Sequence, residues 1–393
     1  MKKFLLASAA TLAMASMATA AGHGNVKLGV ILGYTGPIES LTGPMADGAE
    51  AAMKEVTESG KFMGGKGVES VRADSTCIDA AAATSAAERV ITSDGVAGIV
   101  GADCSGVTGA ILANVALAQG MVMISPSATS PALSTAEDNG LFFRTAPSDA
   151  RQGQVMADII MERGFKEVAL TYTNNDYGKG LADAFQASFE AAGGKVTISA
   201  AHEDGKADYS AEVGALAAAG GDILVVAGYL DQGGKGIIEG SLDSGAFDTF
   251  VLPDGMIGAS LPEAIGTDLD GSFGQVPGTD SPGAGNLAEI IGGELGPFVA
   301  ESYDAAALLL LAMQAANSVD PAVYKEKVMM VANAPGEKIF PGELDKALEI
   351  LANGGDIDYV GASAVELIGP GESAGNYREI EIKDAAISTV KFR

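Results

Sequence analysis

The sequence is poor in the side chains on which acid–base and nucleophilic catalysis depend. Its 393 residues include two histidines, two cysteines and no tryptophan. His23 lies close to the amino terminus, and His202 lies in a polar loop after a predicted strand. A nucleophilic serine or cysteine normally needs a neighbouring base, most often histidine. We therefore expect a protein that is not an enzyme and that carries no metal and no cofactor.

Positive charge and long apolar runs are also scarce. The chain has 24 Lys and Arg against 51 Asp and Glu, a net charge of −27. A field of this sign opposes binding to nucleic acid and to anionic membrane surfaces. Beyond the amino-terminal segment the longest apolar run, Ala305–Met313, is too short to cross a bilayer. We expect neither nucleic acid nor a lipid surface as a partner.

The amino terminus has the pattern of a secretory signal peptide, which we assign to residues 1–20. Two lysines precede an apolar stretch from Phe4 to Met17, and Ala-Thr-Ala follows as a small-x-small cleavage pattern. We expect cleavage near Ala20. Removal of this segment leaves 22 basic residues against 51 acidic ones, a net charge of −29.

The two cysteines, Cys77 and Cys104, are predicted to form a disulfide. Their number is even and the chain is expected to be exported into an oxidising compartment. Each cysteine follows a strand-like run, Val68–Asp74 and Val96–Gly101, and adjacent parallel strands would bring these ends together. A metal site is the alternative, but the sequence offers few other ligands for it.

The stretch from Gly101 to Ser134 carries the strongest functional signal. An apolar run ends in the loop GADCSG, a helical pattern follows, and a second apolar run, Met121–Ile124, ends in Ser-Pro-Ser-Ala-Thr-Ser-Pro. In open α/β sheets ligands bind at such carboxyl ends of strands. Hydroxyls and helix-start N–H groups suit a small carboxylate, although the same residues are also ordinary helix caps.

The rest of the chain alternates between strand and helix in two successive series, from residue 25 to about 145 and again from about 152 to 252. This pattern predicts an α/β protein with two doubly wound lobes. The regularity ends after Gly271. Gln275–Gly285 is rich in Gly and Pro and is predicted to be a linker or loop, and residues 360–393 are predicted to form short strands.

The motifs, taken in order, resemble the periplasmic leucine/isoleucine/valine-binding proteins of ABC importers, which have the type I periplasmic binding protein fold. The resemblance covers essentially the whole chain after the signal peptide. The motifs that carry it are LGVILGYTGP, DSTC, GADCSG, SPSATSPAL, LFFRTAPSD, NNDYGKGLADAF, GYLDQGGKGIIEG, LPDGM and ESYDAAALLLLA.

The resemblance implies two lobes that are joined by three hinge crossings and close over a ligand. The crossings would fall at Arg144–Pro147, Phe273–Pro277 and Tyr359–Gly361. Lobe one would then contain residues 25–146 and 276–359, and lobe two residues 147–275 and 360–393. It also implies a monomer in the periplasm that delivers its ligand to membrane permease subunits.

The resemblance further implies a set of ligand contacts. The ligand carboxylate would be held by hydroxyls of lobe one, namely Ser105, Ser127 and Thr129. The ammonium would meet side chains of lobe two, namely Tyr229 and Asp254, with Tyr177 closing the pocket. Positions near the lobe boundary or the ligand side chain are Asp149, Leu41 and Tyr34. Leu41 replaces an aromatic residue of the family, and Asp254 replaces a glutamate.

Elementary chemistry agrees with a zwitterionic ligand, because a carboxylate needs donors and an ammonium needs acceptors. Several alternatives stay open. Asp254 precedes Gly255 and is also typical of a simple turn. The ligand could be a short amide, urea or an aromatic acid, although a chain with 6% aromatic residues is a poor source of a stacking pocket. The protein could also be the ligand sensor of a separate receptor, and Gly234, Gly236 and Gly240 weakly resemble a dinucleotide-binding motif.

Overall fold

The computed structural model describes residues 24–393, and the predicted signal peptide, residues 1–20, lies outside the described residues. The described part consists of strands and helices in alternation. The strands are β1 (Val26–Leu32), β2 (Val68–Asp74), β3 (Gly98–Gly101), β4 (Met123–Ser125), β5 (Phe142–Pro147), β6 (Glu167–Thr173), β7 (Lys195–His202), β8 (Ile223–Ala227), β9 (Phe250–Leu252), β10 (Phe273–Pro277), β11 (Glu337–Ile339), β12 (Ile357–Tyr359), β13 (Leu367–Ile368), β14 (Glu372–Ser373), β15 (Tyr377–Lys383) and β16 (Ala386–Phe392).

Helices connect most of these strands and cover both faces of the sheets. They are α1 (Glu39–Ser59), α2 (Ala80–Arg89), α3 (Ser105–Ile111), α4 (Leu117–Gln119), α5 (Asp149–Glu162), α6 (Asp176–Ala191), α7 (Ser210–Ala219), α8 (Gly233–Ser244), α9 (Ser260–Ile265), α10 (Pro282–Ile291), α11 (Val299–Ala316), α12 (Pro321–Ala332) and α13 (Leu344–Ala352). A π-helical segment, Leu112–Ala116, joins α3 to α4.

Two seven-stranded sheets form the centres of two lobes. The order is β13-β14-β5-β4-β3-β1-β2 in the first sheet and β16-β15-β10-β9-β8-β6-β7 in the second. The strands from β1 to β5 and from β6 to β10 pair in parallel within their sheets. The central strands are apolar and buried on both faces, as the covering helices require. The predicted α/β architecture of two doubly wound lobes is confirmed.

The chain changes lobe three times. It leaves the first sheet after Pro147 at the end of β5, and it leaves the second sheet after Pro277 at the end of β10. It changes sheet for the third time between Ser373 and Tyr377. These three short connections can act as a hinge, because in the described part of the chain they are the covalent links between the two lobes.

The predicted third crossing at 359–361 is wrong. The sequence placed all of residues 360–393 in lobe two, but β13 and β14 belong to the first sheet, where Glu372 pairs with Arg144 of β5. The two strands contain two residues each, and so short a strand has no alternation of apolar and polar residues that a sequence could reveal.

The predicted loop at 275–285 is also wrong in part. Its first residues complete β10, and its last residues begin helix α10 with Ser281 before the first turn and Pro282 in it. Proline is well tolerated in the first turn of a helix, where its missing N–H costs no hydrogen bond. The high content of glycine and proline in this stretch predicted a loop, but part of the stretch is the start of a helix.

Helix α11 forms the core of lobe one. Its residues from Ala305 to Met313 are all fully buried, and it packs against α1, α12 and the strands of the first sheet. No single helix among residues 24–393 is long and apolar enough to span a membrane, and only the bent pair α11 and α12 would be so when taken together.

Candidate functional site

A small cavity, with about 20 Å³ open to the centre of a water-sized sphere, lies between the lobes, at the carboxyl ends of strands from both sheets. In this closed arrangement the lobes leave little free space between them. The residues that line it are Ile38, Leu41, Asp103, Cys104, Ser105, Ser127, Tyr177, Tyr229, Asp254, Gly255 and Phe298. The lining combines an apolar part, two hydroxyls, two phenols and two carboxylates.

Lobe one presents the start of helix α3 to the cavity. Cys104 is the residue before the helix, and its side chain makes no capping hydrogen bond to the first turn. The predicted disulfide to Cys77 is confirmed, with the two Cα atoms 5.2 Å apart. The disulfide ties this loop to the loop after β2, and the uncapped N–H groups of the first turn favour an anion.

Ser105 is placed to donate a hydrogen bond into the cavity. Its Oγ accepts a hydrogen bond from the Ser130 N–H at 3.1 Å, so its own proton is available to a ligand. Ser127 differs, because its Oγ donates to the carbonyl oxygen of Asp103 at 3.1 Å. The Ser127 hydroxyl thus offers a ligand an acceptor more readily than a donor.

Asp103 has a structural role in lobe one. Its carboxylate accepts hydrogen bonds from the Gly33 N–H at 2.6 Å, the Ser75 hydroxyl at 3.0 Å and the Cys104 N–H at 2.9 Å. Burial raises the pKa of this carboxyl, and the three hydrogen bonds oppose that rise. Asp103 therefore holds together the loops after β1, β2 and β3.

Lobe two contributes a carboxylate between two phenols. Asp254 follows β9 and is 1% exposed, and its Oδ1 accepts hydrogen bonds from the Tyr177 hydroxyl at 2.6 Å and the Gly255 N–H at 2.8 Å. The side chain of Gln152 also lies close enough to stabilise the charged form of this carboxylate. The rings of Tyr177 and Tyr229 stack with centroids 5.1 Å apart, which fixes Tyr177 against Asp254.

Burial dominates the acid–base properties of this side of the site. It raises the pKa of Asp254, although the hydrogen bond from Tyr177 opposes the rise. Burial also raises the pKa of Tyr177 well above its ordinary value, so the phenol stays neutral and can donate. A buried carboxylate is stabilised by a cationic partner.

Six of the nine predicted ligand residues line the cavity. They are Leu41, Ser105, Ser127, Tyr177, Tyr229 and Asp254. Thr129 and Asp149 are buried outside the lining, where the Asp149 N–H donates to the Thr129 carbonyl oxygen at 2.8 Å. Burial and the neighbouring charge of Asp254 raise the pKa of Asp149 well above its ordinary value.

Tyr34 is not among the residues that line the cavity, although the sequence predicts that it borders the ligand side chain. Its ring lies beside Arg72, whose guanidinium carbon is 5.8 Å from the ring centroid. Its hydroxyl points to the carbonyl oxygen of Val30 at 3.4 Å. The tyrosine follows β1 as predicted, but its side chain packs on the side of lobe one.

The sequence did not reveal two apolar residues of the lining, Ile38 and Phe298. Ile38 immediately precedes α1, and Phe298 immediately precedes α11, where it has a left-handed φ of 61°. Both are buried. An aromatic residue at the start of a long apolar helix is a weak signal, because core packing explains it equally well.

One sequence pattern of hydrolases occurs in the chain. Residues 371–375 read Gly-Glu-Ser-Ala-Gly, and in hydrolases Gly-x-Ser-x-Gly places a nucleophilic serine at a turn from strand to helix. Here these residues form β14 and the start of the third crossing instead. His202 is buried in lobe two, where its Nδ1 hydrogen-bonds with the Thr171 hydroxyl at 2.8 Å. Burial lowers the pKa of this histidine to about 4, and it does not line the cavity.

The sequence matches known relatives over most of its length. A family model described as periplasmic binding protein matches residues 25–331. A Leu/Ile/Val-binding protein homologue of Brucella melitensis is 29% identical over 83% of this chain and 88% of its own. The Leu/Ile/Val-binding protein BraC3 of Rhizobium johnstonii is 31% identical over 80% of this chain and 84% of its own.

Solved structures show the same fold. The leucine-binding protein LivK of Thermotoga maritima has a TM-score of 0.79 at 22% identity and covers 93% of this chain and 98% of its own. LivJ of Streptococcus pneumoniae, solved with isoleucine, has a TM-score of 0.76 at 21% identity and covers 93% and 99%. A solute-binding protein of R. palustris, solved with benzoate, has a TM-score of 0.75 at 19% identity and covers 94% and 96%. Sequence and fold together establish that this chain belongs to the family of periplasmic binding proteins that includes the Leu/Ile/Val-binding proteins.

Proposed function

We propose that this protein captures an aliphatic α-amino acid of the leucine, isoleucine or valine type between its lobes. The observation that carries this proposal is the polarity of the cavity. One wall has the uncapped start of α3 with the Ser105 hydroxyl, and the opposite wall has the buried carboxylate of Asp254. A zwitterion matches both, with its carboxylate toward α3 and its ammonium toward Asp254.

The apolar part of the lining supports an aliphatic side chain. Ile38, Leu41 and Phe298 are buried around the cavity and offer no hydrogen-bonding group to a ligand side chain. Leu41 narrows the site less than the aromatic residue found in the family at this position. A branched aliphatic group that packs against these residues gains the free energy of leaving water, about 0.8 kcal/mol for each buried methylene.

The proposal includes the biological setting of the family. The signal peptide would be cleaved near Ala20, and the mature monomer would carry its ligand in the periplasm to the permease subunits of an ABC importer. The names of two relatives, a Leu/Ile/Val-binding protein and a homologue of one, support the ligand, and the benzoate-bound neighbour, whose description names an ABC transporter, supports the setting. A sensor for a separate receptor would use the same cavity and differ only in its partner.

An aromatic acid is the second candidate ligand, because three aromatic rings line the cavity and a structural neighbour was solved with benzoate. Asp254 distinguishes the two candidates. A ligand without an amine would leave this carboxylate buried and unpaired, and an unpaired buried charge is costly.

Calorimetric titration with matched compounds tests the proposal. L-leucine, L-isoleucine and L-valine should bind. 4-Methylpentanoate, which is leucine without its ammonium, and 3-methylbutylamine, which is leucine without its carboxylate, should each bind at least tens-fold more weakly. Benzoate, acetamide and urea complete the panel. Tighter binding of benzoate than of L-leucine would reject the amino-acid proposal in favour of the second candidate.

A further inference from the structure

The two lobes make a set of hydrogen bonds at the rim of the cleft, outside the cavity. Helix α1 of lobe one begins at Glu39, and Ile38 before it provides no side-chain cap. Asp231 of lobe two occupies that position from across the cleft. Its Oδ2 accepts a hydrogen bond from the Ser40 N–H at 2.9 Å, and its own N–H donates to the Pro37 carbonyl oxygen at 3.0 Å.

The carboxylate of Asp231 is held in this orientation by its own lobe. The Ser260 hydroxyl donates to Asp231 Oδ1 at 3.0 Å, and the Ser260 and Ser40 hydroxyls lie 3.3 Å apart across the cleft. A carboxylate at a helix start satisfies an otherwise unpaired N–H and interacts favourably with the helix dipole. Asp231 therefore caps a helix that belongs to the other lobe.

This cap exists only when the lobes are together, because its donor and its acceptor lie on different lobes. The cap lies next to the cavity in both lobes. Leu41, next to Ser40, and Tyr229, two residues before Asp231, both line the cavity, whereas Asp231 does not. A contact made only in the closed form shifts the equilibrium toward that form and raises the apparent affinity for a ligand held inside.

We propose that Asp231 is a positioning residue that retains the ligand by capping α1 across the cleft. The inference rests on the proposed function in requiring a ligand between the lobes, and it adds a residue that acts without touching that ligand. A side-chain cap changes an equilibrium by about two- to thirty-fold. Since the cap forms after the ligand has entered, its loss accelerates dissociation and leaves association unchanged.

Stopped-flow binding of L-leucine to three variants tests this inference. Asp231→Ala should dissociate about five- to twenty-fold faster than the parent, with an association rate within about two-fold and an unchanged order of preference among leucine, isoleucine and valine. Asp231→Asn should restore most of the retention, because its amide oxygen still accepts from Ser40. Asp243→Ala removes an exposed acid of the same lobe and should behave as the parent. Equal dissociation rates for Asp231→Ala and the parent would overturn the inference.

Failure of the amino-acid proposal is recognised separately. If L-leucine binds none of these proteins, the ligand assignment fails, and hydrogen exchange in the presence of whichever compound of the calorimetric panel does bind then decides on the cap. Slower exchange at residues 38–42 in the parent than in Asp231→Ala supports the cap, since the Ser40 N–H is its donor. Equal exchange in the two proteins rejects it.

Discussion

Asp254 is an almost completely buried carboxyl group whose charged form needs a cationic partner, and this requirement determines what the site accepts. The cost of a buried carboxylate is offset only by a partner, and Tyr177 and Gly255 together engage one of its two oxygens. We predict that Asp254→Asn weakens binding of L-leucine by tens-fold or more, because truncating one partner of a buried charge pair costs about 2–5 kcal/mol. Calorimetric titration measures this.

The matched control for that experiment is Asp268→Asn, which removes one negative charge from an exposed position in the same lobe. It should bind L-leucine as the parent does. Parental affinity in Asp254→Asn would show that the ammonium site is misplaced. A ligand without an amine would then be the better hypothesis.

Ser105 could be predicted because it lies in the loop after a strand with a clear apolar run, where ligands bind in open α/β sheets. Asp254 was predicted from the family resemblance, because its position before Gly255 is equally typical of a turn. The positions of Ile38 and Phe298 could not be predicted. Both precede long helices, and whether their side chains reach the cavity depends on how α1 and α11 pack against the sheet. Tyr34 shows the opposite error, since its position in the chain was suitable but its side chain turns toward Arg72.

Glu301 is a second buried carboxyl, and it affects stability rather than binding. It is 3% exposed in α11, and burial raises its pKa to about 8. The charge of Asp304 adds to the rise and that of Arg378 opposes it. A carboxyl that binds its proton more tightly in the folded state stabilises the folded protein at pH values below the carboxyl's ordinary pKa. This stabilisation is lost as the pH rises from that value toward 8.

We therefore predict that the melting temperature falls between about pH 5 and pH 8, and that Glu301→Gln makes this fall smaller. Each unit of difference between folded and unfolded pKa corresponds to about 1.4 kcal/mol. Differential scanning calorimetry across this range measures the effect. Glu289→Gln, an exposed glutamate on α10, is the control and should follow the parent curve. An unchanged slope in Glu301→Gln would contradict the assignment.

At the scale of elements, the close packing of α1 on α11 depends on Gly48. A Cβ atom at this position would lie 2.6 Å from the carbonyl oxygen of Val299, at the start of α11. Backbone cannot move away as a flexible side chain can. We predict that Gly48→Ala lowers the free energy of unfolding by about 1–3 kcal/mol, the usual cost of overpacking. Chemical denaturation measures this loss.

Gly214→Ala in α7 is the matched control, because no atom lies within 4 Å of its added Cβ. Alanine loses less conformational freedom than glycine in a helix, so this variant should be more stable by about 0.5–1 kcal/mol. Equal effects of the two substitutions would mean that the contact between α1 and Val299 is looser than the structure shows.

A strand or helix could be predicted from the sequence wherever its pattern of apolar residues extended over enough positions. The alternating strands and helices up to residue 252 gave the α/β class. Helix α10 was not predicted because Gly and Pro at its start resemble a linker. Strands β13 and β14 were not predicted because two residues are too few to show an alternation of apolar and polar side chains. The third crossing was misplaced as a result of that second omission.

At the scale of the whole molecule, the structure has the lobes in contact along the cleft. Besides the bonds of Asp231, Gly180 of lobe two faces Pro131 of lobe one so closely that an added Cβ would lie 2.9 Å from the proline ring. Three short connections permit a hinge motion that separates these surfaces. We predict that L-leucine reduces the radius of gyration measured by small-angle scattering, because it favours the closed form.

4-Methylpentanoate at the same concentration is the control for the scattering measurement, since it lacks the ammonium that Asp254 would pair. It should leave the radius of gyration unchanged. Equal contraction by both compounds would show that closure does not depend on the ammonium. An unchanged radius at saturating L-leucine would show that the ligand-free lobes are already closed or that the hinge does not move.

The placement of the last four strands has a consequence for the growing polypeptide. Strands β13 and β14 extend the first sheet beyond β5, and β15 and β16 extend the second beyond β10. A ribosome makes these strands last, so a nascent chain that ends before residue 366 has neither pair. It exposes two open strand edges, β5 in one lobe and β10 in the other, and open edges invite pairing with other chains. In an exported protein both edges are therefore covered only after the carboxyl terminus has crossed the membrane.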